Sequence, residues 1–108
     1  MNVLENIPYS DEGMGRRKIV DEKHMLVIQI ALKSGQMVPR HNANSNVRLL
    51  VLKGEVTVDF DGSGNRIKEG DMLPVAFKTS MVIKNSGEND ATFLVIKTPN
   101  PSEMADKQ

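Results

Sequence analysis

Apolar and polar residues alternate in short runs along this chain, and no segment carries the period of a useful amphipathic helix. The clearest run is 55–60, EVTVDF. Val56, Val58 and Phe60 fall on one face and Glu55, Thr57 and Asp59 on the other, the period-two pattern of a half-buried strand. Runs 25–32 (MLVIQIAL), 47–52 (VRLLVL) and 91–98 (ATFLVIKT) are rich in branched apolar side chains and predict three more strands. Shorter runs predict strands over 65–68, 72–76 and 79–84, with an edge strand over 16–20. Turn residues separate them: Lys53-Gly54, Asp61-Gly62-Ser63-Gly64, Glu69-Gly70-Asp71 and the polar loop 85–90. Short strands divided by turns every ~8–12 residues imply an all-β fold, an antiparallel sandwich or barrel. Residues 1–24 read as an N-terminal arm and edge strand, 25–98 as the barrel, and 99–108 as a polar tail with little to drive a helical turn.

Several strands are apolar on both faces, LLVL and FLVI most clearly. One face can fill the interior, and the other needs a cover. A second copy of the chain would supply it, so a homodimer is expected; the alternative is a two-layer sandwich that buries both faces within one subunit. Charge narrows the partners. With 14 basic and 14 acidic residues the net charge is zero, so no broad attraction to nucleic acid or an anionic membrane is expected. The one basic cluster, Arg16-Arg17-Lys18, reads as a solvated strand end. The absence of cysteine removes disulfides and thiol catalysis. MNVLENIPYS lacks the basic and apolar regions of a secretory leader, and no run approaches the ~20 apolar residues of a membrane-spanning helix, so a cytoplasmic location is expected.

Spacing points to one barrel family. The pattern G-x5-H-x-H-x(3,4)-E-x6-G is met at Gly35, His41 and Gly54, and G-x5-P-x-G-x2-H-x3-N at Gly70 and Asn85. In these positions, and in the strands LLVLKGEVTV and IKEGDMLPV, the chain resembles the cupins over residues 25–98. The resemblance implies a small antiparallel jelly-roll barrel. It also implies where a metal would sit, and there the chain departs from the pattern. The second histidine falls on Ala43, the glutamate on Val47 or Arg48, and the second-motif histidine on Met81, while its proline and glycine fall on Ala76 and Lys78. Of the four usual ligands only His41 is kept. One imidazole cannot hold a metal against water, alanine and valine offer no lone pair, and arginine repels a cation. No metal or other cofactor is therefore expected. A rearranged site of His41 and Met81 with Gln29 or Asn44 would suit Cu(I), although a methionine at such a place more simply fills apolar space.

The same positions predict a largely apolar pocket. Val47 and Met81 would face the lumen, alternation would add Leu49, Val51 and Ile83, and Val56, Val58 and Phe60 would line the lumen or the sheet packing. Met72, Phe77 and Phe93 are candidates for rim and lid, and His41 and Asn44 for polar handles near the mouth. No catalytic residue is assigned. An imidazole serves as general base near neutral pH, but no acid falls on a matching position beside His41, and Asp71 should bond local backbone in its turn. Three readings stand at this point. The first is a metal-free module binding a small, partly apolar ligand as a sensor or accessory protein. The second is a divergent metal-dependent isomerase or oxygenase using His41 with rearranged ligands. The third is a structural dimer whose barrel is filled.

Overall fold

Residues 1–105 are described in the computed structural model, and they form nine strands and one short helix. One sheet runs β1 (Gly15–Glu22), β2 (Met25–Leu32), β9 (Ala91–Thr98), β4 (Asn46–Lys53), β7 (Met72–Val75). The other runs β3 (Met37–Asn42), β8 (Ser80–Lys84), β5 (Glu55–Phe60), β6 (Ser63–Lys68). Every pairing is antiparallel. The inner faces meet in one core: Ile30, Leu49 and Phe93 from the first sheet, Val58, Met81 and Ile83 from the second. Val56 and Val58 keep the single face that alternation assigned, and both are buried in this core. No helix among the described residues is long and apolar enough to cross a membrane.

Turn chemistry sets the path. Asp61 and Gly62 have φ of 52° and 89°, the double positive φ of a tight hairpin between β5 and β6. The turn is thus two residues, and Ser63 and Gly64 already belong to β6. Gly54 is a corner at which the chain leaves one sheet for the other. Its φ is 80°, and a Cβ there would lie 2.6 Å from the Asp90 carbonyl oxygen. Asp71 does bond its own turn: its carboxylate accepts from the Lys68 amide at 2.9 Å. Asn85, which ends the second motif, is buried and closes the loop after β8 by donating to the carbonyls of Leu32 and Asn89.

Four features depart from the sequence expectation. The barrel takes in β1, which pairs with β2 along its length, so the 25–98 boundary excludes a strand of the sheet. β3 is a strand that polar residues and Pro39 conceal; it lies at the sheet edge, and its register shifts between Val38 and His41, where a residue without an N–H interrupts least. The tail forms helix α1 (Pro101–Ala105) because Asn100 caps it, its side-chain oxygen accepting from the Ser102 amide at 3.1 Å. The same side chain donates to Asp21 and to the Glu22 carbonyl, so a tertiary anchor supplies what local propensity lacks. Residues 106–108 of the expected tail lie outside the described residues. Gln29 faces away from the lumen, between inward Ile28 and Ile30. It is fully buried, accepting from Arg17 Nε at 2.8 Å and donating to Thr92 Oγ1 and the Val3 carbonyl.

That Val3 contact shows what covers part of the outer face. The N-terminal arm lies over β1 and β2, where Arg17 donates to the carbonyls of Asn6, Glu5 and Val3. Farther along the same outer face, Leu50, Leu94 and Ile96 are only half-buried.

Candidate functional site

The site follows from register. In β4, residues 47, 49 and 51 point inward; across the ladder in β9, Lys97, Val95 and Phe93 are their direct partners and share their face. In the other sheet His41 of β3 pairs with Met81 of β8, which brings the first-motif histidine and the second-motif histidine position together. Between the sheets lies a cavity of about 340 Å³. Its walls are apolar: Ile28 and Ile30 from β2, Val47 and Leu49 from β4, Met81 and Ile83 from β8, Phe93 and Val95 from β9. Its polar lining is Arg16, Arg40, His41, Asn44 and Lys97, with no carboxylate among the described residues.

Seven of the nine residues predicted for the pocket therefore meet in one cavity: His41, Asn44, Val47, Leu49, Met81, Ile83 and Phe93. Met72 and Phe77 do not line it. Met72 pairs with Leu50, an outward residue of β4, so it shares the outer face and is 52% exposed. Phe77 lies in the turn after β7, partly exposed, with the Lys78 ammonium 5.3 Å from its ring centroid. The residues missed include apolar Ile28, Ile30, Val38 and Val95, and the cations Arg16, Arg40 and Lys97. Lys97 was legible in principle, since period two places it on the face of Phe93 and Val95. Arg16 was read as a solvated strand end, and only its pairing opposite Ile30 turns it inward.

The donor set decides what the site can hold. His41 is exposed, and its Nδ1 lies 3.0 Å from the Pro39 carbonyl oxygen, so only Nε2 is left uncommitted as a donor atom for a metal. The other three ligand positions, Ala43, Val47 and Met81, are buried. The described residues contain no group of three or more His, Cys, Asp or Glu side chains placed to hold a metal ion. Gln29, considered as a ligand, is committed to Arg17 and Thr92 on the far face of the sheet. These residues do not fit a resident metal.

The cations differ in their commitments. Arg40 is paired, with Nη1 3.0 Å from Ser80 Oγ and 3.5 Å from Asp61 Oδ1. Arg16 and Lys97 have no ion pair among the described residues. Burial pushes the Lys97 ammonium below its ordinary pKa, and the positive charge of Arg16 pushes the same way.

Comparison with known proteins places this geometry. Residues 18–107 match a family model described as Cupin. An uncharacterized protein of Methanocaldococcus jannaschii, MJ0764, is 34% identical over 88 residues, covering 81% of this chain and 76% of that protein. Its crystal structure, described as an RmlC-like cupin with a double-stranded β-helix fold, superposes with a TM-score of 0.82 at 29% identity, over 94% of this chain and 90% of that one. A conserved uncharacterized protein with a double-stranded β-helix domain from Klebsiella pneumoniae gives a TM-score of 0.85 at 20% identity, over 93% and 89% of the two chains. An RmlC-like cupin from Desulfovibrio desulfuricans gives 0.83 at 22%, over 92% and 94%. The last two show the likeness of fold alone.

Proposed function

The chain belongs to the cupin family, and from that premise we propose that it is a metal-independent member that binds a small, partly apolar molecule inside its barrel, as a sensor or accessory protein. One observation carries this reading. Where the family's pattern places metal ligands, the chain has Ala43, Val47 and Met81, and these side chains border a cavity of about 340 Å³ instead of filling it. That volume lies within the range of small-molecule sites, ~300–1,000 Å³, and apolar walls with a few polar groups are their usual make-up. The filled-barrel reading draws no support from a cavity of this size, and the rearranged metal enzyme draws none from the donors present. The protein is proposed to act as a homodimer. Half-buried Leu50, Leu94 and Ile96, with exposed Met72 on the same outer face, support a second copy as the cover.

Two measurements test the reading. Tag-free protein, purified without added metal or chelator, is analysed for metal beside His41→Ala; a near-stoichiometric transition metal that the variant loses overturns the metal-independent assignment. Small neutral aromatic probes are then titrated while methyl resonances of Met81, Leu49 and Val95 are followed by NMR. Saturable shifts at these three residues are expected, and their absence removes the ligand reading. Sedimentation at micromolar concentration should give about twice the 12.0 kDa chain mass.

A further inference from the structure

The charge of the cavity lining narrows the ligand. Every ionisable group there is basic: Arg16, Arg40, His41 and Lys97. The chain as a whole is balanced at 14 of each sign, so a one-sign lining is local and owes nothing to overall composition. Two of these groups lack a partner. Arg40 is held by Asp61 and Ser80, whereas Arg16 and Lys97 have no ion pair among the described residues. Their placement is also unusual. Lys97 stands directly opposite Val47 and Leu26, half-buried, with Arg16 near enough to repel it. Arg16 is exposed to solvent, so the cost falls on half-buried Lys97, whose charge both its burial and the nearby Arg16 disfavour unless something of opposite sign joins it. Among the described residues the lining supplies no such group.

We propose that the cavity binds an organic anion, a carboxylate on an apolar body, with the carboxylate paired to Lys97 and Arg16 and the body among Val47, Leu49, Met81 and Phe93. This deepens the ligand reading and rests on it. Arg16 offers a planar fork suited to a carboxylate, and Lys97 a point charge whose low ordinary solvation in this place strengthens an ion pair. Size fits the class. At a share of roughly 30 Å³ per water-sized group, the cavity has room for about ten non-hydrogen atoms. An aryl or short alkyl carboxylate is that large.

A matched pair of probes tests the proposal with the full chain. Hydrocinnamate and its uncharged amide, hydrocinnamamide, have the same shape and differ in charge. Calorimetric titration at low ionic strength should show the carboxylate binding at least tenfold tighter than the amide, and added salt should shrink that ratio. In Lys97→Met and in Arg16→Met, each keeping an apolar stem, the ratio should fall toward one. Leu49→Trp, which fills the space, should abolish binding of both probes. Equal affinity of wild type for the two probes, with both lost in Leu49→Trp, overturns the anion proposal and leaves the ligand reading standing. Binding of neither probe to wild type overturns both. A carboxylate preference that survives both methionine variants also overturns the assignment, because the charge would then be read elsewhere.

Discussion

Gly15 separates two residues that line the cavity, Met14 and Arg16, and its own missing side chain lets the N-terminal arm lie against the sheet. A Cβ at Gly15 would stand 1.5 Å from the Pro8 carbonyl oxygen and 2.7 Å from its carbon. Real Cβ atoms essentially never approach within 3.0 Å, so in Gly15→Ala the arm must retreat by about 1.5 Å (3.0 less 1.5). The backbone φ of Gly15 is outside the positive region, so no intrinsic strain contributes. The bonds that hold the arm, and that the retreat is expected to break, are Arg17 to the Asn6, Glu5 and Val3 carbonyls at 2.9, 3.1 and 3.3 Å, and Gln29 Nε2 to the Val3 carbonyl at 2.8 Å. The arginine bonds are partly solvated and weak singly, but Gln29 is fully buried and would lose one of its two donations. Together these amount to about 2–4 kcal/mol. Alanine's smaller unfolded-state entropy returns about 0.4–1 kcal/mol. A net loss near 2 kcal/mol corresponds to a fall in Tm on the order of 10 °C for a domain of this size. Gly64→Ala is the control, since a Cβ there meets only Thr57 Cγ2 at 3.4 Å and its φ is also ordinary. Thermal unfolding with limited proteolysis of residues 1–9 reads both parts. If Gly15→Ala unfolds within 2 °C of Gly64→Ala (a difference of roughly 0.5 kcal/mol or less) and its arm is no more readily cleaved, the arm does not brace the sheet through Pro8.

Three further outcomes are expected. Lys97→Met should raise stability most at neutral pH: the folded state carries a lowered lysine pKa, so it holds fewer protons than the unfolded state as pH rises toward the ordinary 10.5, and the wild-type penalty is relieved there. Urea titrations from pH 7 to pH 10.5 check it, and an advantage that grows with pH refutes the sign. Tyr9→Phe should be neutral or stabilising by up to about 1 kcal/mol, because the buried Tyr9 hydroxyl has no hydrogen-bond partner among the described residues; a loss above that in denaturant unfolding would reveal one. Phe93→Ala, at 0% exposure in the middle of β9, should cost about 3–5 kcal/mol by chemical denaturation, and a cost under about 1 kcal/mol would mean that the core collapses around the deletion.

The Lys97 prediction and the ligand proposal are two sides of one arrangement. The Lys97 charge that burial disfavours in the folded chain is the one the proposed anion would pair with. Removing it should give a more stable protein that binds its carboxylate probe less well, a trade commonly seen where a site is held in an unfavourable state.

Local pattern determined most of the strands, though not β3, which polar residues and Pro39 conceal. Val56, Val58 and Phe60 alternate, and Asp61-Gly62 supplies the two positive φ values its hairpin requires, so β5 and β6 follow from neighbours in the chain. The sequence also shows that Ala43, Val47 and Met81 offer no hard donors at the positions where the family's pattern places ligands, whatever the fold does with them. Tertiary structure decided the rest, because face and pairing are non-local. MLVIQIAL is buried on both faces, so no local pattern says which way Gln29 points; the register of β2 against β1 and β9 does, and a slip of one residue would reverse it. Met72 fell outside the pocket for the same reason, through its pairing with Leu50. Arg16 and Lys97 lie at opposite ends of the chain. The order β1-β2-β9 alone brings them to one cavity, where two unremarkable surface residues of the sequence become the charge of the site.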